Sequence, residues 1–247
     1  TGGKEVTSKT VTFTVGEAYA ETTINGKTKT QLSLEKALTE ISEAGENAAT
    51  LKILKDIDSE TFDSKEISGD VTIDLNGHAV GYKGDGSDWQ TGIDKFGFRI
   101  TGGTVTLTDS STSKTGYLHG TLQVNGGKFS LENGTCENLN ISAGTATISG
   151  GACKTVEVNS GATLKVTGED AKITTLKALH KADARAEVTL SGGHFGSIAV
   201  EISGKSEEQE IAALLSDETA KLAIEDMLAS DHAFYDNGDE LQEIDRT

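Results

Sequence analysis

Between Gly81 and Gly97 the chain reads GYKGDGSDWQTGIDKFG, its densest run of interaction chemistry. The run holds the one tryptophan of the sequence, Trp89, together with Tyr82, Phe96, Asp85, Asp88 and Asp94. An aromatic side chain held out on a polar loop is an anchor for a partner surface. The alternative is that Trp89 folds back over the end of the apolar core. Tyr82, Asp85, Asp88, Trp89 and Phe96 are therefore the candidate binding residues. Asp85, Ser87 and Asp88 offer oxygen ligands suited to calcium, but EF-hand spacing and its terminal glutamate are missing, so no metal site is assigned. A second oxygen-rich run, Asp236-Asn237-Gly238-Asp239-Glu240, reads as a hairpin tip. Cys136 and Cys153 are too few for a disulfide framework, and no histidine lies near either one in sequence. His78 and His194 have no evident partner and read as structural. No Ser/His/Asp arrangement is legible, so no catalytic residue is assigned and the chain is expected not to be an enzyme. No cofactor is expected.

The elements that must position these residues follow from periodicity. Thr10–Val15 alternates in period two, as a half-buried strand does. Leu34, Ala37, Leu38 and Ile41 recur at helical spacing behind a Ser33 N-cap, with Glu35 in the first turn and Gly45 closing, which predicts a helix over 33–44. From there to about residue 204, short alternating runs are separated by glycine corners: Leu51–Leu54, Val71–Leu75, Phe98–Ile100, Val105–Leu107, Leu122–Val124 and Phe129–Leu131. Closely spaced short strands of this kind mean an all-β architecture.

The spacing repeats. Laying Gly127–Gly144 over Gly144–Gly161 at an offset of 17 brings Phe129 onto Ala146, Leu131 onto Ile148, Cys136 onto Cys153, Leu139 onto Val156 and Ile141 onto Val158. A third copy keeps Gly161 and Gly168, puts Ile173 at the Val156 position and slips by one residue at Lys165. A fourth, Val188–Phe195, follows an insertion, with Ile198 and Val200 in register after it. The glycine pairs 102–103, 126–127 and 150–151 are spaced by 24. Each repeat is read as two short strands with one apolar face, which cannot be buried alone. Stacking repeats at about 4.8 Å pairs the backbones in parallel and builds a continuous core. The predicted fold is an all-β solenoid, a right-handed parallel β-helix; an antiparallel β-sandwich with similar turn spacing is the competing architecture. Past residue 205 a capping box at Ser206–Gln209 and the stripe Ala220, Ala223, Ile224, Met227, Leu228 predict helices. Ala233–Tyr235 and Glu240–Gln242 around Asn237-Gly238 predict a hairpin. One domain spans 1–247: an N-terminal strand and capping helix over 1–45, the solenoid over 46–204, and C-terminal helices with a hairpin cap over 205–247.

Composition bounds the function. The 247 residues carry 22 Lys and Arg against 39 Asp and Glu, a net charge of −17, which repels phosphate backbones and anionic lipid. No apolar run reaches membrane-spanning length. Proline is absent, as fits a chain whose interior N–H groups must donate to neighbouring strands. The start at Thr1 without a basic and apolar leader reads as a fragment of a longer protein.

The order of an amphipathic helix, Thr50–Ile57, Val71–Val80, the SGG-containing units Thr147–Cys153 and Leu190–Phe195, and finally His232–Leu241 resembles the parallel β-helix modules of large surface proteins in gut Firmicutes. That resemblance implies an extracellular, cell-surface location and a non-enzymatic adhesion or binding role. It points to a host protein as partner, with immunoglobulin variable regions a lead, in a monomeric module. A carbohydrate-binding or polysaccharide-cleaving β-helix and a plain spacer are the alternatives. Cleavage would need an acidic cluster with basic residues on one outward face, and arginine is confined to Arg99, Arg185 and Arg246. The adjacent aspartate pair of polygalacturonases is missing, and Leu118-His119-Gly120 lacks the leading glycine of their histidine motif. Thr147, Lys154, Glu157, Asn159 and Lys165 are expected to face outward as mixed surface residues, with Glu137 over Lys154 as a surface ion pair.

Overall fold

A computed structural model describes residues 16–45, 47–58, 64–82, 97–180, 184, 186–202, 232–236 and 241–245. The strand expected over Thr10–Val15, most of the 81–97 run and the helices expected after residue 205 lie outside the described residues.

The architecture is all-β with one large, mainly parallel sheet. β1 (Ala20–Ile24) and β2 (Lys27–Gln31) form a hairpin across Asn25-Gly26, both at positive φ. The helix α1 (Leu34–Glu43) follows. Ser33 caps it by accepting from the Lys36 N–H, and Leu34, Ala37, Leu38 and Ile41 are buried, as the spacing predicted. Glu40 on α1 accepts from Thr22, Lys29 and Gln31, tying the helix to the hairpin.

The chain then runs through β3 (Ala49–Ile53), β4 (Ile57–Asp58) and β5 (Ser64–Ile67), and repeats the sequence with β6 (Val71–Asp74), β7 (Ala79–Gly81) and β8 (Gly97–Ile100). β1 pairs antiparallel with β3; from β3 onward each segment pairs in parallel with its counterpart in the next repeat, β3 with β6, β4 with β7 and β5 with β8. β9 (Thr104–Thr108) continues the first column on β6. In β10 (Tyr117–Leu131) and β11 (Thr135–Ile148) all three segments run on through corners that hold a glycine, save the one at Glu137. β12 (Ala152–Val158), β13 (Thr163–Val166), β14 (Lys172–His180), β15 (Glu187–Leu190) and β16 (His194–Ile202) extend the three columns further. β17 (His232–Asp236) and β18 (Leu241–Asp245) pair antiparallel as the predicted hairpin, and β18 lies antiparallel on the start of β16.

The inward ladders are those the offset of 17 predicted: Phe129/Ala146, Leu131/Ile148, Cys136/Cys153, Leu139/Val156 and Ile141/Val158. The first column extends to an unbroken buried line, Leu51, Ile73, Leu107, Leu131, Ile148, Val166 and Leu190. Each such side chain contributes about 1.5–3 kcal/mol by leaving water.

Four details differ from the sequence reading. A repeat holds three segments, not two; the second column escapes notice because it turns one residue inward per repeat, such as Leu118, Cys136 or Ile173, too little for alternation to show. Ile173 lies beside Cys153 and it is Leu176 that lies beside Val156, because the corner before β14 is longer. The slip at Lys165 is absorbed in the turn before β13, where Thr147 pairs with Lys165 and Ile148 with Val166. Of the glycine pairs spaced by 24, 103 and 127 stack but 127 and 151 do not. Gly151 lies on Gly134, while Gly144 lies on Gly127, because β10 and β11 have no insertion between their segments.

Aspartates pin the corners. Asp70 accepts from the Thr104 N–H at 2.9 Å and Asp56 from the Ala79 N–H at 2.9 Å. Asp74 accepts from the Asn76 and Ser110 N–H groups and the Ser110 hydroxyl. Asp109 is fully buried and accepts from the Gly77, Ser111 and Gly116 N–H groups at 2.9, 2.9 and 2.6 Å.

Cys136 and Cys153 are buried free thiols on adjacent parallel strands. The hydrogen bond with Cys136 and then burial push the Cys153 thiol well above its ordinary range. Because both side chains are buried, both cysteines are expected to resist iodoacetamide at pH 8 until denaturant is added. Cys153→Val is expected to leave the urea midpoint almost unchanged and Cys153→Ser to cost about 1–3 kcal/mol, because a hydroxyl replaces a thiol in an apolar column. Fast alkylation of the native protein would contradict this placement.

Candidate functional site

The third column turns its outward side chains onto one face. Alternation within Thr121–Val124, Asn138–Ile141, Thr155–Val158 and Thr175–Ala178 sends the apolar residues inward and the intervening polar ones outward. Register then aligns Thr121, Asn138, Thr155, Thr175 and Ser197 in a single line crossing β10, β11, β12, β14 and β16. At about 4.8 Å per strand the line is about 19 Å long. A second line runs beside it, two residues further along each strand: Gln123, Asn140, Glu157 and Lys177.

Between the two lines lies an open groove of about 520 Å³. Its walls are hydroxyls, amides, one carboxylate (Glu157) and one ammonium (Lys177), with Leu139 the one apolar member among the described residues. Asn140 donates to Glu157 Oε1 at 2.9 Å and accepts from Ser142 and Asn159, which orients both side chains. The Ser197 hydroxyl reaches Thr175 Oγ1 at 3.4 Å. Thr121 closes one end; it is 3% exposed, and its side-chain oxygen makes no hydrogen bond among the described residues.

Beside this groove, in the second column, sits a buried polar group. Glu137 is 2% exposed and accepts from the Gly120 N–H at 2.8 Å, with Lys154 Nζ 3.8 Å from its other oxygen. The ion pair expected from the repeat is present, but it is not a surface pair: Glu137 is buried at the corner between Cys136 and Asn138, opposite the extra residue of β10, and Lys154 alone stays in solvent. Tyr117 stacks on His119 with ring centroids 4.1 Å apart. Burial first, then the Glu137 carboxylate, pushes the Tyr117 phenol up.

Of the residues singled out in the sequence, Tyr82 follows directly on β7, partly buried and packed against the core. Asp85, Asp88, Trp89 and Phe96 lie outside the described residues. His78 has a partner after all: its Nδ1 lies 3.4 Å from Asp56. Lys154 and Lys165 are exposed, and Thr147, Glu157 and Asn159 are half-buried. Among the described residues no three His, Cys, Asp or Glu side chains come together as metal ligands, and no helix is long and apolar enough to cross a membrane. The groove went unseen in the sequence because its members differ in type; only the register, once known, aligns them.

Comparison with protein-family models, curated proteins and solved structures finds no match to this chain.

Proposed function

We propose that the chain is a non-catalytic binding module of a bacterial cell-surface protein, and that it recognises a host protein. In this reading the three columns wrap into a right-handed parallel β-helix with α1 and the 205–247 segment over its ends. The parallel pairing of every segment with its counterpart one repeat later supports that wrapping, as does the right-handed preference of parallel crossovers. The observation that carries the function is the polar face of β10, β11, β12, β14 and β16. Five strands in register present a rigid, pre-formed surface, which lowers the ordering cost of binding. A single carboxylate lining the groove among the described residues supplies no acid–base pair of the kind glycoside cleavage uses.

The resemblance to gut surface modules makes immunoglobulin variable regions the first partner to test, with the 81–97 run as anchor. The chain, immobilised and exposed to purified immunoglobulin from serum or mucosal secretions, is expected to bind it, and Trp89→Ala is expected to weaken binding by about 2 kcal/mol, roughly thirty-fold. Binding unchanged by Trp89→Ala removes the 81–97 run from the recognition surface; no binding to any variable region removes immunoglobulin. A second reading, that the same face takes carbohydrate, is favoured by the hydroxyl and amide lining of the groove.

A further inference from the structure

We infer that the groove over the third column is a binding site for a neutral, extended oligosaccharide chain, which lies across the strands along the Thr121–Ser197 line. The inference rests on reading this face as the recognition surface, and names what it would recognise.

Four observations point this way. Six of the nine described lining residues carry a hydroxyl or an amide, side chains that both donate and accept and so match sugar hydroxyls. The polar groups recur at the strand spacing over about 19 Å, so a ligand with a short, regular repeat of hydroxyls meets equivalent partners several times. Glu157 and Lys177 are register neighbours of opposite charge, so the groove offers no net charge to an ionic ligand, and the −17 charge of the chain repels polyanions such as uronans. Thr121, buried and lining the groove, leaves its hydroxyl without a partner among the described residues, at a desolvation cost. Asn138 beside it is held to the Gly120 carbonyl by a long bond of 3.3 Å. A ligand hydroxyl that reaches this end of the groove pairs with Thr121 and removes the cost.

A peptide fits less well. Strand addition needs a free sheet edge, and these strands have neighbours on both sides from β10 to β14. Side-chain anchoring needs an apolar pocket, and Leu139 is the one apolar group the described lining offers.

The test is an NMR titration of the labelled chain with neutral hexasaccharides: β-1,4-linked glucose, mannose and N-acetylglucosamine, and α-1,4-linked glucose. Hexagalacturonate is the charged counterpart. One neutral hexasaccharide is expected to shift the amides of Asn138, Thr155 and Thr175 with a dissociation constant below about 1 mM, and its disaccharide to bind at least ten-fold more weakly. Thr155→Val with Thr175→Val keeps the β-branched shape and is expected to weaken binding at least ten-fold with an unchanged melting curve. No shift at about 10 mM of any neutral sugar, equal binding by the double valine variant, or tighter binding of hexagalacturonate would each overturn the inference. The same variant tested on the host protein separates the two proposals. Lost protein binding without sugar binding keeps the face and discards the sugar; sugar binding without any protein partner keeps the sugar and discards the protein partner.

Discussion

Gly103→Ala is expected to destabilise the protein by more than about 4 kcal/mol, the size reserved for backbone overlap with no room to relax. Gly103 has φ +68, and a methyl group there would sit 2.2 Å from the Gly69 carbonyl oxygen and 2.3 Å from its carbon. The obstacle is main chain of the preceding repeat, which cannot turn aside as a side chain does. The Gly103 carbonyl is itself fixed, accepting from the Lys128 N–H at 2.8 Å. The same stacking recurs at Gly127 on Gly103 and at Gly144 on Gly127, each at 2.5 Å. Gly26→Ala is the control: it has φ +72 but nothing within 4 Å, so it carries only the left-handed penalty of about 1–2 kcal/mol. Urea melts followed by circular dichroism compare the two. Equal costs at Gly103 and Gly26 would mean that the corners do not lie on one another.

Asp109→Ala is expected to cost more than about 3 kcal/mol, because it strands three N–H donors, those of Gly77, Ser111 and Gly116, in a buried corner. Asp109→Asn is expected to cost less: one oxygen still serves Gly77 and Ser111, but an amide N–H₂ faces the Gly116 donor. The carboxylate also ties stability to pH. Burial acts most strongly and would raise its pKa, but the hydrogen bonds from Ser111, Gly116 and Gly77 together outweigh burial and hold it below the ordinary value. A group with a depressed folded-state pKa stabilises the fold above its unfolded pKa, near 4, and that contribution is lost as pH falls through the folded value. Wild type is therefore expected to lose more stability than Asp109→Asn as pH falls below about 4. Parallel loss in both proteins would show that Asp109 is not the linked group.

The register was legible where consecutive repeats keep one length. Between β11 and β12 the step is uniform, so Cys136 meets Cys153 and Leu139 meets Val156, as simple superposition suggests. Past Val158 the corners lengthen, and superposition misplaces Ile173 by one segment. Asp74 and Asp109 were not legible as buried groups, because a short acidic residue beside serine and glycine looks like any exposed turn until backbone donors from a neighbouring repeat are seen to converge on it. Glu137 misleads for a related reason: its offset from Lys154 is that of a surface pair, and only the structure shows its carboxylate buried on the Gly120 N–H. The groove members Thr121, Asn138, Thr155, Thr175 and Ser197 mix three residue types and drift in spacing from 17 to 22, so the sequence does not mark them as a line.

Groove, glycine stack and aspartate corners all require neighbouring strands that run the same way in one register. Backbone nuclear Overhauser contacts in the labelled chain test this most directly. Parallel strands are predicted to give amide-to-α contacts linking the surroundings of Leu139 with those of Val156 and of Val156 with those of Leu176, without strong α-to-α cross-peaks between these segments. Strong α-to-α cross-peaks joining β10 to β11 or β11 to β12, the mark of antiparallel neighbours, would contradict it.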